Sequence, residues 1–256
     1  MRYREFKPSP ALDRQVQCYW VLEGEAGAAA QPVFPDGHPE VVFHFGDPFW
    51  RVTASGAEQQ GRALAVGQML KPAILLPSGV VGVFGVRFRP AGFAAIMRQP
   101  AHEFANRIVP LDGRLGAVLG EVVPEEALSW PEKIRRIETF LQSGLRGADV
   151  AVGGAVAILE SRPEASMDDL SHAIGLSSRQ LRRRFLEEAG IGPTTFARIQ
   201  RFQRALRGLD SASGAAVAAE SGYYDQAHMI ADFREFAGST PIAVKLAPAL
   251  TAVFVR

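Results

Sequence analysis

With 256 residues the chain can form one large domain or two smaller ones, and 47% apolar with 21% charged residues is an ordinary globular composition. A net charge of +1 neither marks nor excludes a nucleic-acid partner, because the placement of positive charge matters more than its sum. The single cysteine, Cys18, excludes an intramolecular disulfide and any multi-cysteine zinc site; no run approaches the ~20 apolar residues of a membrane span, and the N-terminus lacks a signal-peptide core. These features predict a cytoplasmic protein without a membrane partner.

From Arg14 to Arg89 the chain reads as β structure. The runs QCYWVLEG, PEVVFHFGDP, RVTASG, ALAVGQM, AILLPSG and VVGVFGVRFRP are rich in Val, Ile and Phe, and Gly or Pro closes nearly every one. Strands at this spacing predict a barrel or sandwich, after which AGFAAIMRQ and its sequel turn helical.

Within this stretch Asp36, His38, Glu40 and His44 fall at even spacing, so a continuous strand would aim them at one face, where a divalent metal could bind. Pro35, Gly37 and Pro39 interrupt that strand, and a turn with Asp36 accepting backbone hydrogen bonds is the preferred reading; no metal site or cofactor is assigned. Arg87 and Arg89 also alternate. They could meet an acidic effector or pair internally with Asp36, Glu40 or Asp47, the latter being favoured. Trp20, Trp50, Phe34, Phe43, Phe45, Phe84 and Phe88 supply aromatic surface for either a pocket or an ordinary β core. Trp20, Asp36, His38, Glu40, Arg87 and Arg89 are therefore the candidate effector-binding residues.

Residues 131–161 read as helix. In PEKIRRIETFLQSGLR, Pro131 suits a first turn, and Ile134, Ile137, Phe140 and Leu141 recur at helical spacing. DVAVGGAVAILES is a second helix, weakened by Gly153 and Gly154. Such helices could pair two chains into a homodimer or pack on their own domain.

Beyond Arg162 an internal repeat emerges. MDDLSHAIGLSSRQLRRRFLEEAGIGP and AAVAAESGYYDQAHMIADFREFAGSTP each hold a short apolar helix, a glycine (Gly175, Gly222) and a second amphipathic helix. Both close in one frame, Phe185-x4-Gly190-x2-Pro193 and Phe233-x4-Gly238-x2-Pro241. The glycine permits a positive φ between two crossing helices, which is the form of a helix-turn-helix. Ser177 and Asp225 read as N-caps, and Gly190 and Gly238 as C-caps. Leu176, Leu181 and Phe185 are expected in the core of the first unit, and Tyr223, Met229, Phe233 and Phe236 in that of the second. The second helix of the first unit carries Arg179, Arg182, Arg183 and Arg184, while Asp168, Asp169, Glu187 and Glu188 lie elsewhere. Segregated arginines on that helix suit phosphates and guanine edges in a major groove. Between the units, PTTFARIQRFQRALRGLD predicts a rod of roughly 27 Å, able to hold two reading heads near one ~34 Å turn of DNA.

These residues resemble the AraC/XylS family of transcription regulators. Its C-terminal domain of about 100 residues holds two helix-turn-helix units on a long helix, with a signature G-[FY]-x-D-x-[SA]-H-F leading to F-x4-G-x-[ST]-P. Gly222, Tyr223, Asp225, Ala227, His228, Met229, Phe233, Gly238, Thr240 and Pro241 occupy those positions, and the likeness runs from about Pro163 to Ala243. The resemblance implies base-facing positions on each second helix. These are Arg179, Arg182 and Arg183, flanked by Ser178 and Gln180, in the first unit, and Gln226, Ile230 and Ala231 in the second. The second set departs from a polar reading face: two of its three are apolar, and Asp232 follows. Asp225 and His228 are read mainly as cap and packing residues. The β-rich N-terminal part more loosely resembles the sensor domain of a subset of these regulators, through FPDGHPEVVFHFGD, FGVRFRPAGF and the tail through RIVPLD.

The expected architecture is thus α+β in two domains. A barrel- or sandwich-like sensor domain spans 1–125, a helical connector 126–161, and an all-α double helix-turn-helix domain 162–256. The expected function is sequence-specific binding of double-stranded promoter DNA, with no enzymatic activity. Control would pass through the N-terminal domain by an effector or a partner, and an activator would also meet RNA polymerase. A metal-dependent enzyme needs a better His/carboxylate cluster than the proline-broken motif supplies, and an alkylation sensor needs more than one cysteine.

Overall fold

The computed structural model describes residues 1–27, 29–210 and 213–246; the segment of the expected C-terminal domain from 247 to 256 lies outside them. The N-terminal domain is built on two antiparallel sheets. Strands β1 (Arg2–Phe6), β2 (Val16–Glu25), β3 (Gln31–Val33), β4 (Glu40–His44), β5 (Trp50–Thr53), β6 (Gly56–Gln59), β7 (Ala63–Val66), β8 (Ala73–Leu76), β9 (Val80–Phe88) and β10 (Ile108–Pro110) make up the sheets; β2 to β9 fall where the apolar runs predict them or fill the links between, whereas β1 precedes the stretch expected as β and β10 lies in the part expected to be helical. They order as β1-β2-β9-β4-β7-β10 in one sheet and β3-β8-β5-β6 in the other. The result is a sandwich-like β domain.

The larger sheet is buried on both faces, which explains the unbroken apolar run of β2. Tyr19 and Val21 face one core, and Cys18, Trp20 and Leu22 face the other, between the sheets. Gly85 lies where its strand crosses the Trp20 indole; a Cβ there would come within 2.0 Å of the ring, so only glycine fits. Trp50 is the exception among the aromatics, since it lies partly exposed on the smaller sheet rather than in a core.

The outer face of the large sheet is covered by helices α1 (Phe93–Met97), α2 (Gly113–Val122) and α3 (Trp130–Ser143), with a 3-10 turn at Ala101–Phe104. Ser129 and Glu132 close a reciprocal capping box at the start of α3, beside Pro131. Ile134, Ile137 and Leu141 bury into the sheet core. The next helix, α4 (Val150–Ser161), forms despite its glycine pair and is anchored by Asp149, which accepts from the Ala151 and Val152 amides. Its Val152, Ala155, Val156 and Leu159 pack into the C-terminal core. The 126–161 stretch expected as a connector is thus shared between two cores, α3 with the first and α4 with the second.

The remaining helices are α5 (Met167–Ile174), α6 (Ser178–Ala189), α7 (Pro193–Gly208), α8 (Gly214–Glu220), α9 (Gln226–Phe236) and α10 (Pro241–Leu246). Helix α7 is the shared wall of two helix pairs, α5–α6 and α8–α9. From it Phe196 meets Phe185 at 5.7 Å, while Phe202 meets Phe233 at 4.9 Å and Phe236 at 5.6 Å. Its 16 residues give a rod of ~24 Å, slightly shorter than the sequence suggests because the helix ends at Gly208.

Candidate nucleic-acid interface

Each helix pair is set by local chemistry. Gly175 and Gly222 adopt φ of 72° and 82°, turning the chain where an L side chain would be strained. Ser177 caps α6 by accepting the Gln180 amide, and Asp225 caps α9 by accepting the His228 amide at 2.8 Å. Gly190 and Gly238 leave the two helices at φ of 85° and 67°. Leu181, Phe185, Tyr223, Met229, Phe233 and Phe236 are buried, and Leu176 is half-buried against the same core.

On α6, Arg179, Arg182 and Arg183 are exposed. Among the described residues Arg179 and Arg182 take part in no ion pair, and Arg183 makes one loose exposed contact to Glu187 at 3.4 Å. Arg184 leaves the group: it turns inward to Asp149 at 2.6 Å and ties α6 to the start of α4. Gln180 completes the capping box with its carboxamide oxygen on Ser177 (2.8 Å to Oγ), and Ser178 Oγ lies 3.0 Å from Ser171 Oγ on α5. Both therefore sit at the edge of the arginine face with part of their hydrogen-bonding capacity already engaged.

On α9, Gln226 and Ala231 are exposed and Ile230 is half-buried. Asp232 is not on this face. It is 1% exposed and holds the Arg198 guanidinium of α7 at 2.7 Å, while Arg198 also reaches Glu235 and lies over the Phe236 ring. Burial pushes the Arg198 guanidinium down, but the hydrogen bonds and charges of Glu235 and Asp232 outweigh it and hold its pKa above the ordinary arginine value. The acid that made this helix look hostile to DNA is a strut. Arg201 and Arg204 of α7 are likewise occupied, donating to the Pro163 carbonyl and to those of Glu160 and Ser161. His228, whose ring meets Tyr223 edge-on at 5.5 Å, also stays exposed, as does Arg234. Arg234 follows the buried Phe233 directly, a quarter turn or more away from the core face.

The candidate effector residues divide. Arg87 pairs with Glu40 at 2.7 Å and Asp36 at 3.1 Å, and Asp36 accepts the His38 amide at 2.9 Å, so the turn and the internal pairing coexist. Arg89 does not join them: it lies past the end of β9 and pairs with Asp13. Asp47 pairs with neither arginine and accepts the Val80 amide instead. His38 Nδ1 lies 3.1 Å from the Phe88 carbonyl. Trp20 and Glu40 line a cavity between the sheets.

The same turn touches the helical domain. Gln203 of α7 donates to the Pro35 carbonyl at 2.6 Å, Gln200 reaches the Asp36 carbonyl, and the Phe34 and Phe202 rings meet edge-on. Gly37, with φ of 88°, lies so close to α7 that a Cβ would come within 2.7 Å of Gln200 and 2.9 Å of Phe196.

Two helix-turn-helix units on one long helix, with an arginine face on the first, define a DNA-binding protein. Residues 170–246 match a helix-turn-helix domain family, and residues 4–110 match a domain of unknown function (DUF6597). The C-terminal part of the chain is thus a helix-turn-helix domain. No curated protein matches the sequence. Among solved structures, ToxT from Vibrio cholerae is 10% identical, with 93% of this chain and 98% of that one covered at a TM-score of 0.48. An AraC-type regulator from Chromobacterium violaceum is 26% identical over 39% of this chain and 95% of its own, at 0.36. The AraC-like activator CuxR is 14% identical over 80% and 86%, at 0.30. Among the described residues no helix is long and apolar enough to cross a membrane.

Proposed function

We propose that the chain binds operator DNA with both units, reading two successive major-groove faces. Arg179, Arg182 and Arg183 of α6 supply most of the specificity, and Gln226, Ile230 and Ala231 of α9 mainly position the second unit. The observation that carries this reading is the fate of the arginines. Those at 184, 198, 201 and 204 are engaged inside the fold, whereas the three on the outer side of α6 stay extended into solvent. Guanidinium groups left exposed on a helix of this kind suit bidentate pairing with guanine and contact with phosphate. Its place of work is the cytoplasm, where the DNA is.

Control by the N-terminal domain has its own support. The 34–40 turn is clamped between Arg87 and α7, the helix that spaces the two reading units. An effector or partner acting on the β domain could therefore favour one placement of α7 over another and shift the population competent for DNA.

The test uses an operator selected from random duplexes by the wild-type chain. Arg182→Ala/Arg183→Ala is expected to lose more than ~2 kcal/mol of preference for that operator over unrelated DNA, measured by fluorescence anisotropy at two salt concentrations. Unchanged preference in the double variant would move the reading face elsewhere.

A further inference from the structure

Three loops of the N-terminal domain meet the helical domain, and they are tied to one another. The 34–40 turn lies against α7. Residues 67–72, between β7 and β8, reach the second helix-turn-helix unit. Leu70 packs against the helical core, and a Cβ on Gly238, the exit of α9, would meet Pro72 at 3.7 Å. Residues 101–107, between α1 and β10, reach the first unit. Ala105 packs against the same core, and a Cβ on Gly190, the exit of α6, would come within 2.9 Å of the Ala101 carbonyl oxygen. The two glycines that hold equivalent places in the repeat thus rest on neighbouring loops of one support.

Hydrogen bonds that continue the β7–β10 ladder past Val66 and Ile108 hold this support together. The Gly67 amide donates to the Arg107 carbonyl at 3.0 Å, and the Asn106 amide donates to the Gln68 carbonyl at 2.7 Å. Asn106 Oδ1 then accepts the Leu70 amide at 3.2 Å. The buried Gln68 donates its carboxamide N–H to the Gly37 carbonyl at 2.6 Å, which joins the 34–40 turn to the same knot. Asn106 holds a φ of 56°, a left-handed conformation that asparagine and aspartate adopt more readily than other L residues. It is exposed, so replacing it opens neither core.

Helix α7 alone would leave the two units to bend and twist about its ends, and a second support on another side removes that freedom. We propose that the paired loops 67–72 and 101–107 are a seat that fixes the two units relative to each other, with Asn106 as its positioning residue. The seat itself needs no DNA. Its consequence, that Asn106 sets how strictly the chain discriminates the spacing of two half-sites, rests on the two-headed reading proposed above.

The seat is tested in the full chain by spin labels on Ala173→Cys of α5 and Ala219→Cys of α8, both exposed and outside the two reading helices; Cys18 is buried and stays unlabelled. The distance distribution between the labels is expected to be narrow with Asn106 in place and about twice as broad in Asn106→Gly, which loses the acceptor. It should be narrow again in Asn106→Asp, which keeps both the acceptor and the left-handed backbone. An equally narrow distribution in Asn106→Gly overturns the seat. Should that variant fail to fold, Pro72→Ala, which trims the contact to Gly238, is expected to broaden the distribution, and no broadening there overturns the seat as well. On the selected operator, one base pair inserted between the halves should weaken the wild-type chain about tenfold but Asn106→Gly no more than about threefold, with the salt dependence unchanged because no phosphate contact is lost. Broadened distances in Asn106→Gly without any spacing preference in the wild-type chain uphold the seat and overturn the two-headed reading instead.

Discussion

The two helix-turn-helix units are the same device with different surfaces. Ser177, Phe185, Gly190 and Pro193 recur as Asp225, Phe233, Gly238 and Pro241, and the caps, cores and exits of both follow that frame. Leu176 alone separates the first turn glycine from its cap, whereas Tyr223 and Tyr224 separate the second, and the added Tyr224 is 94% exposed. The larger difference is charge. The first unit leaves arginines on its outer face, while the second shows a glutamine, an isoleucine and an alanine there and turns its acid inward. Architecture is therefore copied by a few capping and core residues, and the exposed surface is free to diverge around them.

The largest difference between the two units is expected at Arg198. Its loss strands Asp232, almost wholly buried, without a counter-charge. Arg198→Ala should lower stability by about 3 kcal/mol in chemical denaturation, with hydrogen exchange rising first in α9 rather than α6. A smaller and symmetrical effect is expected at the caps. Ser177→Ala and Asp225→Ala should each cost about 1 kcal/mol, and each should raise amide exchange only in its own unit. A cap variant that loosened both units equally would show that α7 binds them into one cooperative block. The smallest effect belongs to Gln226→Ala. It should reduce operator affinity by at most about 1 kcal/mol, well below the loss from the paired α6 arginines, and a loss as large as theirs would make the second unit an equal reader.

Much of this molecule is legible along the chain because the determinants are local. A cap needs a side chain three residues from the amide it accepts, a turn needs a glycine with positive φ, and a β core needs alternating or continuous apolar runs. The 34–40 turn is legible in the same way, since Pro35, Gly37 and Pro39 deny it a strand and Asp36 closes it on His38. The division of 126–161 between two cores was not. Both α3 and α4 have apolar faces, and nothing in either face names the core it will enter.

The repeat, its caps and turns, the β character of the first part and the basic side chains on the second helix of the first unit all follow from the chain alone. The destination of most long charged side chains is set only once the fold has formed. Arg184 meets Asp149 and Arg198 meets Asp232, partners that lie far off in the chain but within 2.7 Å in the fold. The reason is physical: a cap is satisfied within one helical turn, whereas the environment of a long charged or aromatic side chain is set by elements that meet only after the cores have formed.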